Sequence, residues 1–281
     1  MKITKIAKIA AATAVAALAL AGCAAGNTTD ATTDATTAEG GVVTLKVGAS
    51  PVPHADILNF VNDNLAEDAG LKLEIVEYTD YVQPNVALSE GELDANFFQH
   101  VPYFDAEVAE KGYNFEHGEG VQIEPYGIYS KQLTDLKDIP EGGKVLVNND
   151  PSNQARALKL LEQEGIIGLD GAENPTIYEI ADNPKNLEFT EAEAAVIPVQ
   201  LPDVDIAVIN GNYALEHGLN PAKDALALES GKDNPYANVL AWNKDAEKAD
   251  AIAKLEELLH DPQVADFIRE QYPDGEIVPA F

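Results

Sequence analysis

Residues 42–78, "VVTLKVGASPVPHADILNFVNDNLAEDAGLKLEIVEY", change hydrophobic period twice, and that change decides the fold. Val43, Leu45 and Val47 alternate as in a strand, up to Gly48. Ile57, Val61 and Leu65 then recur every four residues, the spacing of one helix face, and Gly70 supplies the stop. Leu71, Leu73 and Ile75 return to alternation. Strand, helix and strand joined by short links predict a βαβ unit with parallel strands and a right-handed crossover.

Residues 81–113 predict a helix, a short strand and another helix. A second α/β series follows. "KVLV" (144–147) reads as a strand, and "SNQARALKLLEQEG" (152–165) as a helix ending at Gly165. "DVDIAVIN" (203–210) carries an unbroken apolar run, Ile206–Ile209, as expected of a strand covered on both faces. "NVLAW" (238–242) adds a strand, and apolar spacing predicts helices around 245–259 and 262–271. Two such series without an obvious linker suggest lobes that exchange strands.

The N-terminus speaks to location. Lys2, Lys5 and Lys8 precede the uncharged run "IAAATAVAALALA" (9–21), and "LAGC" (20–23) holds the only cysteine. A basic start, a short apolar core and small residues before a cut site predict a secretory signal over 1–22. "LAGC" resembles a bacterial lipobox, which implies a lipidated Cys23 as the mature N-terminus. Residues 23–41, rich in Thr, Ala, Asp and Gly, read as a flexible tether. With its one cysteine given to lipid, the mature chain can form no internal disulfide.

The chain has 48 acidic and 18 basic residues, a formal charge of −30. Nucleic acid and polybasic membrane contacts both need a basic surface, so neither is expected. No dense Asp loop or His-rich run specifies a metal, and no cofactor is expected. The enzyme motifs GxSxG, HExxH and the phosphate-cradling glycine loop are absent, so no catalytic residues are assigned.

In open parallel sheets ligands sit beyond the carboxyl ends of the strands. That rule selects Ser50–His54, Asp80–Tyr81, Asn149–Arg156 and Asn210. In "NDPSNQARAL" (149–158), Asp150 suits an N-cap and Pro151 the first helical position. Asn153 and Arg156, three apart, share a face just inside. A guanidinium beside a helix N-terminus suits a carboxylate or phosphate. An Arg paired with one of the many carboxylates is the ordinary alternative. On residue chemistry alone, aromatic residues and His100 equally fit a core.

"TDYVQPNVAL" (79–88), "GELDANFFQHVPY" (91–103), "NDPSNQARAL", "DVDIAVINGNYA" (203–214) and "NPYAN" (234–238) together resemble the NlpA lipoprotein family. The resemblance runs from about residue 44 to Phe281. The family's best-known members are methionine-binding (MetQ-type) receptors of ABC importers. It implies an α/β, two-lobed periplasmic-binding-protein fold, each lobe a mainly parallel sheet flanked by helices, with the ligand cleft between. Lobe 1 is expected over 42–125 plus 236–281, and lobe 2 over 126–235. Carried over, the aromatic pocket falls on Tyr81, Phe98 and Tyr103 with His100 beside them. The polar clamp falls on Asn153, Arg156, Asn210 and Asn238, with the Asn and Arg of the helix on the ligand's α-carboxylate.

The implied function is a lipid-anchored, extracytoplasmic, monomeric receptor that closes on L-methionine and delivers it to a permease and its ATPase. The alternatives are a receptor for another apolar amino acid or a short Met-containing peptide, or a surface lipoprotein acting as adhesin or assembly factor. The sequence departs from the family pattern at Tyr126, Asn148 and Val199, which is expected to alter a cleft wall.

Overall fold

The computed structural model describes residues 41–281. The expected signal peptide, Cys23 and nearly all of the tether lie outside the described residues. Among the described residues no helix is long and apolar enough to cross a membrane.

The chain opens with β1 (Val43–Ala49), α1 (Asp56–Asn64) and β2 (Leu71–Glu77), the expected βαβ unit, with β1 and β2 parallel from Val43↔Leu71 to Ala49↔Glu77. The regular helix starts only at Asp56, after "SPVPH" (50–54). Val52 keeps extended backbone (φ −132°, ψ 135°), because the ring of a following proline disfavours helical geometry. α1 then buries Ile57, Leu58 and Val61 against the first core.

Next come α2 (Gln83–Ser89), β3 (Ala95–His100), α3 (Val101–Lys111) and β4 (Phe115–Ile123). Gly112 ends α3 in the left-handed region (φ 71°), where a residue without Cβ is unstrained. The chain continues through β5 (Gly127–Tyr129), β6 (Lys144–Asn148), α4 (Pro151–Gln163), the small pair β7 (Gly168–Leu169) and β8 (Ile180–Asp182), and β9 (Glu188–Ala192). After α5 (Ile197–Gln200) come β10 (Ile206–Ile209), α6 (Gly211–Glu216), α7 (Pro221–Asp224) and β11 (Ala227–Leu228). β12 (Ala237–Asn243), α8 (Ala249–Leu259), α9 (Pro262–Gln271) and β13 (Val278–Pro279) close the chain.

Two main sheets result, in the orders β13-β4-β12-β3-β1-β2 and β11-β5-β10-β6-β9. The fold is two-lobed α/β. Both sheets are more mixed than the expected "mainly parallel" arrangement. β1 is parallel to β2 and β3, and β6 is parallel to β9 and β10. The ladders involving β4, β5, β11, β12 and β13 are antiparallel. Parallel neighbours need a long crossover; strands that pass from one sheet to the other do not have one and enter in the opposite direction.

The second sheet is buried on both faces. Val145, Val147, Ile206 and Val208 pack into one cluster, while Leu146, Ala207 and Ile209 pack into another. That is the physical reason for the uninterrupted apolar run at 206–209. Segments 124–126 and 229–236 carry the chain between the sheets, since β4 and β12 lie in the first and β5 and β11 in the second.

Candidate functional site

All eight residues expected to contact a ligand line one cavity between the sheets. Tyr81 comes from the loop after β2, and Phe98 and His100 from β3. Tyr103 projects from α3, Asn153 and Arg156 from α4, Asn210 from the end of β10 and Asn238 from the start of β12. Gln99, Glu124 and Gly211 complete the lining. Among the described residues no cluster of His, Cys, Asp and Glu is arranged to hold a metal ion.

Phe98 sits at an irregularity in the sheet. β12 pairs Val239 with Gln99 but Leu240 with Phe97, so Phe98 is the extra residue of a β-bulge. The alternation of side chains along the strand splits the neighbouring rings, with Phe97 in the core and Phe98 on the cavity wall. The Tyr81 ring centroid lies 5.9 Å from those of Phe98 and Tyr103, and 5.0 Å from that of Tyr213. The phenol of Tyr81 donates to Asn212 Oδ1 (2.6 Å) and that of Tyr103 to the Tyr81 carbonyl (3.1 Å), so the polar tips are satisfied while the rings form an apolar wall.

A chain of amides forms the opposite wall. Asn148 Nδ2 donates to Asn210 Oδ1 (3.0 Å), and Asn210 Nδ2 to Asn153 Oδ1 (2.9 Å). Tyr126 donates its hydroxyl proton to Asn148 Oδ1 at the far end. Two of the three departures from the family pattern, Tyr126 and Asn148, are therefore bonded to each other behind the lining. The third, Val199, is 63% exposed on α5 and outside the cavity, so the expected effect there on a cleft wall does not arise.

His100 joins the chain from the other sheet, with Nε2 3.1 Å from Asn153 Oδ1. Its Nδ1 accepts the Tyr103 amide N–H (3.1 Å) as the N-cap of α3, which requires the neutral tautomer with the proton on Nε2. Burial, and secondarily the Arg156 charge, push its pKa down to about 3. The folded pKa lies below the unfolded one, so this stabilisation is intact above about pH 6.5 and is lost as pH falls toward the folded value. In His100→Asn an amide oxygen can still cap Tyr103. The stability advantage of the wild type over this variant should shrink by up to about 1.4 kcal/mol per pH unit below pH 6. Denaturant midpoints at pH 7, 6 and 5 measure it; a constant difference would show that His100 is not held neutral.

Arg156 is buried and held on every side. Its Nε lies 3.0 Å from Glu229 Oε1 and its Nη2 2.5 Å from Glu229 Oε2, a two-point fork, and Nη2 also donates to the Glu124 carbonyl (2.8 Å). The guanidinium carbon lies 4.2 Å from the ring centroid of Tyr236 and 4.8 Å from that of Tyr126. The carboxylate partner left open by the sequence is thus Glu229. Nη1 keeps no hydrogen-bond partner among the described residues. The helix terminus itself is not offered to a ligand: Asp150 Oδ1 already accepts from the Asn153 amide N–H (2.8 Å) and side chain (3.0 Å).

His54, selected by its strand end, is buried and held neutral beside the cavity and outside its lining: Nε2 lies 3.2 Å from Asn238 Oδ1 and 3.1 Å from Glu124 Oε1. Ser50 stays outside the lining, and Asp80, Asn149 and Asp150 line a neighbouring groove with Tyr81 and Tyr103. Sequence reasoning missed Gln99, Glu124, Gly211, Tyr236 and Glu229. The position of Glu124 just past β4, in a segment that crosses between lobes, was the one available signal for it.

The model of the family described as NlpA lipoprotein matches residues 45–281. The chain is 40% identical to the methionine-binding lipoprotein MetQ of Bacillus subtilis, over 86% of this chain and 90% of the relative. A lipoprotein from Actinomyces odontolyticus of known structure is 50% identical, with TM-score 0.83, over 85% of this chain and all of the other. A nutrient-binding protein from Burkholderia cenocepacia bound to methionine is 44% identical, with TM-score 0.79, over 84% of this chain and all of the other.

Proposed function

The chain belongs to the NlpA lipoprotein family, and from that premise we propose that it is a lipid-anchored receptor that captures L-methionine for an ABC importer. The observation that carries this reading is the convergence of the eight side chains, from well-separated stretches of sequence, on one cavity.

In this reading Arg156 Nη1 and the amides of Asn153, Asn210 and Asn238 hold the polar end, and Tyr81, Phe98, Tyr103 and His100 enclose the tail. A thioether against aromatic rings contributes about 0.3–1.5 kcal/mol per contact, and burying the chain about 1.5–3 kcal/mol. Those terms favour methionine over glycine, aspartate or lysine.

The lobes are residues 42–125 plus 236–281 and residues 126–235. They close about the segments at 124–126 and 229–236. The bonds His100–Asn153 and Tyr81–Asn212 support closure, because each joins the two lobes directly. Cys23 carries the lipid that holds the protein at the outer face of the cell membrane, where a monomer meets the permease and its ATPase. No catalytic step is assigned. Calorimetric titration of the soluble domain, stripped of carried-over ligand, should show one methionine per chain. Neither heat nor thermal shift with methionine would remove this substrate.

A further inference from the structure

Resting on the reading of the cavity as an amino-acid site, we infer that Glu124 receives the ligand's α-ammonium group and restricts the site to ligands with a free amine. Glu124 is 6% exposed, lines the cavity and belongs to the segment crossing between the lobes. Its carboxylate is held by neutral donors: the Asn212 amide N–H at Oε2 (2.9 Å), and Gln122 Nε2 (3.3 Å) and His54 Nε2 (3.1 Å) at Oε1. His54 brings an N–H but no charge, since burial keeps its pKa down to about 4. The one guanidinium nearby is spent on the Glu229 fork and on the Glu124 carbonyl rather than its carboxylate. A buried carboxylate facing a cavity with no cation of its own is costly, and a ligand cation relieves the cost.

The other candidate acceptors are weaker and already engaged. Asn210 Oδ1 accepts from Asn148, Asn153 Oδ1 from Asn210 and His100, and Asn238 Oδ1 from His54. A charged acceptor makes a stronger bond to ammonium than a neutral amide. Gly211 makes room for the Glu124 side chain: a Cβ there would come within 2.9 Å of Glu124 Cβ. Because Arg156 donates to the carbonyl of this same residue, the groups for the two ends of a zwitterion sit on adjoining walls.

Binding should also move a proton. Burial pushes the Glu124 carboxyl up to about 7, against the pull of Asn212 and Gln122. The charged and titratable groups around it are His54, Arg156, Glu216, Tyr81, Tyr213 and Tyr272. At neutral pH part of the population holds Glu124 as the neutral acid. An arriving ammonium favours the carboxylate, and the acid proton passes to the buffer.

The test compares L-methionine with its α-hydroxy analogue on the wild-type protein, with each titration run in two buffers of different ionisation enthalpy. Methionine should bind at least about a hundredfold more tightly than the hydroxy acid. It should also release roughly half a proton at pH 7, as expected for an acid near its midpoint. Glu124→Gln should lose the proton release and most of the discrimination; if that variant does not fold, the wild-type pair still decides. Methionine binding with a hydroxy analogue within about threefold and buffer-independent heats would overturn the role of Glu124 while leaving the methionine reading intact. If another apolar amino acid proves to be the ligand, the same comparison of its own amino and hydroxy forms decides for or against Glu124. Failure of every amino acid to bind would instead overturn the reading of the cavity, and this inference with it.

Discussion

Replacing Arg156 by alanine should weaken methionine binding by about 3–5 kcal/mol, roughly a hundred- to several-thousandfold in Kd. The guanidinium is fixed before the ligand arrives, by the Glu229 fork and the rings of Tyr126 and Tyr236, so little entropy is lost in using it. Arg156→Lys should not rescue binding, because an ammonium can neither form the fork nor lie flat between two rings. The alanine variant also strands Glu229, whose side chain is only 14% exposed, and part of the damage will fall on stability. Adding Glu229→Gln separates the effects: thermal stability should recover and methionine affinity should not. An affinity loss under tenfold in Arg156→Ala would place the residue outside the ligand clamp.

Phe98→Ala should cost methionine about 2–4 kcal/mol of affinity and cost alanine, which has no tail to enclose, far less. Phe98 stands on the bulge of β3 facing Tyr81 and Tyr103. Removing its ring opens the apolar wall without touching any hydrogen bond of the amide chain. Parallel titrations with the two amino acids measure the difference. Equal losses for both would argue that the rings do not form the side-chain pocket.

Much of the architecture was legible because it is periodic. The switch from alternation to four-residue spacing between Val47 and Ile57 marked the first βαβ unit, and Asp150-Pro151 marked the start of α4 within a residue. What escaped was set by contacts between distant segments. The antiparallel entry of β12 beside β3 depends on the path between lobes, and no local pattern encodes it. Nor does any local pattern encode the register shift at Phe98.

The candidate side chains were found through strand ends and the ordered motifs of the family, and they share one cavity. Glu124 and Glu229 could not be picked out by composition, being two of 48 acidic residues. Folding alone distinguishes them, by burying one against the cavity and the other against Arg156. Tyr126 and Asn148 looked like independent departures until their side chains proved to bond each other.

Calorimetry on the domain freed of bound ligand by unfolding and refolding reads directly whether this cavity holds one methionine. The expected result is saturable heat with L-methionine at one site per chain, much weaker or absent with glycine, aspartate and lysine. A flat titration with methionine, in protein whose refolding is verified, would contradict it.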